Sequence, residues 1–306
     1  MLGVFLIWYS IYSATPEERK ITLYHIANAE PGWIILSIGL GLLSHILRAY
    51  RWKFLLHPIG YDIKLSNSFM SVMAGYLSNL GIPRSGEVLR AGLASNYEKI
   101  PFQKAFGTVI SERLVDLLLL IIVVTVTLLL EFNKLYNYLG NTLSNPLQTL
   151  IILLLGIGVG ILLLRVFRNS TNRFVQKIRS FGEGLLEGIR SIFKMKHKIS
   201  FILLSALIWV LYLIMFDVVR YTVPETANLS IGATLVAFVA GTLAYSTTNG
   251  GIGAYPLAIG YALLLYGVEE SAGKAFGWIL WSAQTALTLV FGALSFLFLP
   301  VLNRGD

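Results

Sequence analysis

Apolar residues gather in long unbroken stretches along this chain rather than alternating with polar ones at a short period. Leu117–Leu130 and Leu147–Leu164 approach the roughly 20 residues needed to cross a hydrocarbon core. Single helical crossings are predicted at about 33–56, 104–130, 147–166, 199–221 and 275–300. A shorter apolar and aromatic stretch, Met1–Ser13, lacks a basic flank and a small-residue cleavage site, so it reads as a first membrane helix whose beginning is missing.

Two further apolar regions, 66–97 and 231–267, are interrupted at their centres. The first carries Ser78-Asn79-Leu80-Gly81-Ile82-Pro83-Arg84-Ser85-Gly86-Glu87, the second Ser246-Thr247-Thr248-Asn249-Gly250-Gly251-Ile252-Gly253. Broken backbone is tolerated at membrane depth only where protein buries it or it lines a wet cavity. Both regions are therefore expected to be re-entrant helical hairpins.

Charge placement gives the orientation. Residues 165–198 hold nine of the 24 Lys and Arg against Glu183 and Glu187 alone, which predicts a cytoplasmic segment. Working outward from it, 48–64 and 95–104 fall inside, while 131–146, 222–230 and 268–274 fall outside. That pattern requires the first broken region to dip in from the cytoplasm and the second from the external face, with both termini cytoplasmic. Lys104-Ala105-Phe106-Gly107 recurs as Lys274-Ala275-Phe276-Gly277 after the second hairpin, and Ala74-Gly75-Tyr76-Leu77 is echoed by Ala240-Gly241-Thr242-Leu243. The expected fold is all-α: one polytopic membrane helical bundle over 1–306 with no soluble domain. It comprises two inverted repeats (about 33–130 and 199–300) joined by a basic amphipathic linker at about 167–198, which lies on an anionic lipid surface. Inverted repeats with interrupted helices in matching places are the pattern of transporters.

Composition agrees: 56% of residues are hydrophobic and mean hydropathy is +0.70, above the roughly 45–50% apolar content of soluble domains. The absence of cysteine removes thiolate catalysis, disulfides and cysteine-ligated metals. The formal charge of +8 is concentrated in loops, which points to membrane orientation and away from nucleic acid. Four scattered histidines and the lack of nucleotide or hydrolase motifs predict no enzyme, no metal and no cofactor.

The candidate chemistry lies in the first repeat. Arg84, Glu87 and Arg90, spaced three apart after Pro83, are expected on one broad helix face. Glu112, Arg113 and Asp116 fall within an arc of about 100° on the next crossing. Ionisable groups at that depth face protein or water and usually pair. Arg84 and Arg90 can hold a phosphate by charge-assisted hydrogen bonds, with the carboxylates positioning them or meeting an amine or proton. Backbone N–H groups near Gly86 and Gly250–Gly253 can add an anion-binding nest. The plainer alternatives are an ordinary loop at 84–90 and a self-satisfied Arg113–Asp116 pair. Arg48 and Arg51, at the end of a crossing, are expected to snorkel to lipid phosphate.

Gly75-Tyr76-Leu77-x-Asn79-x-x-x-Pro83-Arg84-x-Gly86-Glu87-x-x-Arg90, followed by Glu112-Arg113-x-x-Asp116, resembles the lysylphosphatidylglycerol synthase transmembrane region. This flippase-like family includes the membrane half of the bacterial multiple peptide resistance factor. Asn249-Gly250-Gly251-Ile252-Gly253 resembles its second motif, although Asn249 and Ala254 stand where proline or an acid is frequent. The resemblance implies movement of a phospholipid, aminoacylated or otherwise, or of a polyprenyl-phosphate lipid, between leaflets of a bacterial inner membrane. It implies substrate contact at Asn79, Arg84, Glu87, Arg90, Glu112, Arg113, Asp116, Asn249, Gly250 and Gly251. With no aminoacyl-transferase domain after Asp306, synthesis of lysyl-lipid is not expected. The competing reading is an accessory membrane subunit of a glycosyltransferase or lipid-synthesis enzyme.

Overall fold

The structure is a computed structural model that describes residues 15–139, 197–248 and 250–304. Met1–Ser13, the crossing expected at 147–166, nearly all of the basic linker and Asn249 lie outside the described residues. Within them the chain is helical, with no strand.

Helix α1 is Pro16–Ala27, opened by a capping box between Thr15 and Glu18. α2 is Pro31–Leu56, α3 Leu65–Gly81, α4 Ser85–Glu98, α5 Phe102–Leu130 and α6 Phe132–Leu139. Then follow α7 Lys198–Val218, α8 Ile231–Thr247, α9 Ala254–Leu264 and α10 Glu270–Leu302. Among the described residues four helices, α2, α5, α7 and α10, are long and apolar enough to cross a membrane, matching four of the expected crossings to within a few residues. α5 alone, at 29 residues, is about 44 Å long at 1.5 Å per residue.

The surface is inside-out relative to a soluble protein. Leu129 is 70% and Leu203 63% exposed, whereas Arg51 and Glu112 are 0% exposed. A shell of leucine and isoleucine around buried charge is stable only where the surrounding solvent is itself apolar. The protein is a multi-pass membrane helical protein.

The two interrupted regions are helical hairpins. In the first, the Lys64 N–H and Asn67 Nδ2 both donate to Glu98 Oε1 (3.0 and 2.7 Å), so the start of α3 and the end of α4 lie side by side. Further in, the arms close on backbone: a Cβ on Gly75 would stand 2.9 Å from the Gly86 carbonyl oxygen. Pro83 and a left-handed Arg84 (φ 62°) turn the chain at the tip, where Asn79 Oδ1 accepts the Gly86 N–H at 2.7 Å. In the second hairpin Gly250, Gly251 and Gly253 all have positive φ, a conformation in which any other residue is strained.

The bases of the two hairpins lie at opposite ends of the bundle and their tips meet. Asn67, at the base of the first, exchanges hydrogen bonds with Asn303 at the end of α10 (2.8 and 3.0 Å). At the base of the second, the Tyr266 hydroxyl donates to Glu131, just past the end of α5 (2.9 Å). Midway, a Cβ on Gly250 would come 2.9 Å from Leu80 Cδ2, and Trp281, near the middle of α10, donates its indole N–H to the Gly250 carbonyl at 2.8 Å. α2 and α7 run antiparallel beside them, joined by Ser37 Oγ to the Met215 carbonyl (2.9 Å) and Arg51 Nη1 to Ser205 Oγ (2.9 Å). One apolar core gathers around Trp52, Ile100, Val109 and Phe201, the other around Phe216, Phe238, Ile259 and Phe276. Leu119, one turn past Asp116, packs against both.

Candidate functional site

Between these cores four arginines and three carboxylates converge from three helices. Glu112 and Asp116, one turn apart on α5, face α2. Arg48 Nη1 donates to Glu112 Oε1 at 2.8 Å and to Asp116 Oδ2 at 2.6 Å. Arg51 Nη2 donates to Asp116 Oδ1 at 3.0 Å and lies 3.0 Å from Glu112 Oε1. The Tyr212 hydroxyl on α7 accepts from Arg48 Nη2 at 3.0 Å, and Ser205 accepts from Arg51. Arg48 and Arg51 therefore do not reach for lipid phosphate as expected. They lie buried, and because each can donate in several directions each satisfies both carboxylates at once. The signal for this was in α2: Ser37, Gly41, Ser44, Arg48 and Arg51, all buried, recur at alternating steps of four and three and so share one helix face. A small and polar stripe on an otherwise greasy helix marks the side turned to protein.

Arg90, on α4, approaches the other side of Glu112, with Nη2 at 3.0 Å from Oε2. Its guanidinium lies over the Trp52 ring at 4.0 Å from the centroid. Trp52 is itself fixed by its indole N–H, which donates to Thr108 Oγ1 at 2.8 Å. In this pose Nε, Nη1 and Nη2 of Arg90 are all buried without a hydrogen-bond partner among the described residues. Arg113 and Glu87 face each other at 3.4 Å (Nε to Oε1), also out of line for a hydrogen bond, and Arg113 Nη1 is 3.8 Å from Asp116 Oδ2. Arg90, Arg113 and Glu87 line a narrow cleft together with Tyr76, Asn79 and the Gly75–Gly86 contact.

A family model described as the lysylphosphatidylglycerol synthase TM region matches residues 1–296. The chain belongs to that family. A UPF0104 membrane protein of Methanocaldococcus jannaschii is 35% identical over 94 residues, which covers 30% of this chain and 28% of that protein. Another, from Methanothermobacter thermautotrophicus, is 21% identical over 235 residues, or 70% of this chain and 69% of that protein. The first match thus spans under a third of its relative's length. No solved structure matches.

In this member of the lysylphosphatidylglycerol synthase transmembrane family the motif residues divide into four groups. Glu87, Arg90, Glu112, Arg113 and Asp116 form the cluster and its cleft. Asn79 ties the first hairpin's tip, a structural task, while also lining the cleft. Arg84 precedes α4 rather than sharing its face. It is exposed, in a left-handed turn, with no hydrogen bond or ion pair to the described residues. Gly250 belongs to the tip-to-tip contact, and Gly251 packs against Tyr245, Tyr255 and Trp281 rather than against the charge cluster. Arg48, Arg51, Tyr212 and Trp52 are additions that the motif did not name. Among the described residues no group of side chains is arranged to hold a metal ion.

Proposed function

We propose that this chain moves a phosphate-bearing lipid between membrane leaflets, without a chemical step. The headgroup passes through the cleft between α3, α4 and α5 while the acyl or prenyl chains stay in the bilayer. The observation that carries this reading is Arg90: a buried guanidinium with donors unused, opening on a cleft, inside a lipid-facing bundle. Unpaired buried donors are destabilising by about 1–3 kcal/mol each, so such a site favours a ligand rich in acceptor oxygens.

The hairpin geometry supports alternating access. α3 has 17 residues and α9 has 11, about 26 and 17 Å at 1.5 Å per residue, short of a core of about 30 Å. Arms that are too short, bases at opposite ends and tips in contact are what two re-entrant hairpins in inverted repeats produce. In this reading the end bearing Lys53, Lys64, Lys104 and Lys198 is cytoplasmic, as are both termini, and the basic linker rests on anionic lipid. The named relatives are archaeal, so the proposed setting is a prokaryotic cell membrane rather than a bacterial inner membrane alone.

The test is reconstitution of the full chain into vesicles holding a fluorescent phospholipid, with a membrane-impermeant quencher reporting its appearance in the outer leaflet. Accelerated exchange over empty vesicles is expected. No exchange, together with co-purification of a glycosyltransferase or lipid-synthesis enzyme, would replace transport by the accessory-subunit role.

A further inference from the structure

We infer that the cleft is matched to a single monoanionic phosphodiester and discriminates against a dianionic phosphomonoester. This deepens the transport reading and rests on it, since it takes the cleft to be where the headgroup sits.

The first argument is charge balance. Among the described residues Arg48, Arg51, Arg90 and Arg113 stand against Glu87, Glu112 and Asp116, which leaves one positive charge uncompensated by them. Isolated charge in a low-dielectric interior is strongly unfavourable. One monoanion brings the site to neutrality. A dianion takes it to a net negative charge beside Glu87 and Glu112, restoring the same penalty with opposite sign.

The second argument is where the spare capacity lies. Arg48 and Arg51 are engaged by Glu112, Asp116, Tyr212 and Ser205. Arg90 is only 3% exposed; its Nη2 stands 3.0 Å from Glu112 Oε2, and Nε and Nη1 meet no acceptor among the described residues. Trp52 covers its flat face, so the N–H edge is the part free to meet a ligand. Arg113 Nε likewise makes no aligned bond to Glu87. A phosphate oxygen between Arg90 and Arg113, which line the same cleft, takes up donors that both hold unused.

Glu87 sets the count. It lies at the cleft's rim, with its side chain 21% exposed, so Glu87→Gln removes one negative charge with little change of shape. The site then carries two positive charges and suits a dianion.

The experiment exploits the second ionisation of a phosphomonoester, at about pH 6, which a diester lacks. Short-chain phosphatidylglycerol (a diester) and phosphatidic acid (a monoester) with identical acyl chains are titrated calorimetrically into the full chain in neutral detergent, at about pH 5.5 and about pH 8. The other titratable groups around the cluster, His45 on α2, Tyr76 on α3, Tyr212 on α7 and Tyr245 on α8, meet both ligands alike, so the ratio of affinities isolates the ligand's own charge. Phosphatidylglycerol is expected to bind within about twofold at the two pH values, and phosphatidic acid to weaken about tenfold or more at the higher one, a shift of roughly 1.4 kcal/mol. In Glu87→Gln the loss at high pH should vanish or reverse. Phosphatidic acid that binds wild type as tightly at high as at low pH overturns the inference, as does a Glu87→Gln profile identical to wild type.

Arg90→Gln, checked for intact helicity, should lose both ligands; retention of both would move the site elsewhere. If that variant does not fold, the rim variant Glu87→Gln still decides the matter. Glycerophosphoglycerol, the same diester without acyl chains, separates a lipid headgroup from a free solute: much weaker binding is expected, and equal affinity overturns the lipid source. Charge-selective binding with no exchange in vesicles would sink the transport reading while leaving the charge rule standing.

Discussion

Arg90 Nη2 lies 3.0 Å from Glu112 Oε2, yet the two do not form an aligned hydrogen bond. The pair is close enough to attract and too poorly aligned to saturate, and the guanidinium lies over the Trp52 ring at 4.0 Å from its centroid.

Arg90→Ala should therefore slow phospholipid exchange in reconstituted vesicles by about tenfold or more, given that a charge-assisted hydrogen bond contributes about 1.5–3 kcal/mol. Arg90→Lys restores the charge but not the flat stacking surface or the fan of donors, so it should recover only part of the rate. Wild-type exchange in a well-folded Arg90→Ala protein would remove this residue from the path.

Glu112 answers to three arginines and is fully buried, so its removal leaves positive charge stranded in the bundle. Glu112→Ala should destabilise the fold by about 3–5 kcal/mol. Arg84→Ala, at an exposed turn with no described partner, should change stability by about 0.5 kcal/mol or less. Reversible unfolding in mixed micelles compares the two; similar losses would mean that Arg84 has a partner in the membrane-bound protein.

Much of this is legible in the sequence. Unbroken apolar runs fix crossings because lipid leaves the backbone no alternative to helix, and Pro83 and the Gly250–Gly253 cluster announced the two breaks. The five cluster residues that the motif named were readable because charge at membrane depth needs a reason. Partners on other helices were harder. Arg48 and Arg51 sit near a helix end, where a basic pair by itself reads equally as snorkelling or burial; the small and polar stripe of α2 favours burial, and its packing against α5 and α7 shows which partners it meets. For Arg84, spacing of three implies a shared face only if the helix has already begun, and the left-handed turn delays its start.

The contact of Gly75 with Gly86 predicts a steric limit. A Cβ at Gly75 would stand 2.9 Å from a backbone oxygen that cannot swing away. Gly75→Ala should force the arms apart and destabilise by about 1–3 kcal/mol. On the same hairpin a Cβ at Gly92 meets nothing within 4 Å, so Gly92→Ala should stabilise by about 0.5–1 kcal/mol through helix propensity alone. Opposite signs in thermal unfolding of the two variants would establish that the arms meet at Gly75; equal signs would not fit this packing.

Sidedness of the hairpins is the remaining prediction. The chain contains no cysteine, so single cysteines can be introduced without removing any. Asp62 and Lys99 flank the first hairpin, Asn228 and Glu269 the second, and all four are exposed. If each hairpin dips into the membrane and returns, an impermeant maleimide should label the first pair only from the cytoplasmic face and the second only from the outer face. The apolar arms make the competing geometry concrete: were α3 to complete a crossing with α4, Asp62 and Lys99 would report from opposite faces. Every later element would then invert, placing Asn303 and Glu131 on the sides opposite to those the basic loops imply. Such a split result would dismantle the inverted-repeat arrangement, and with it the idea that the cleft alternates between the two faces.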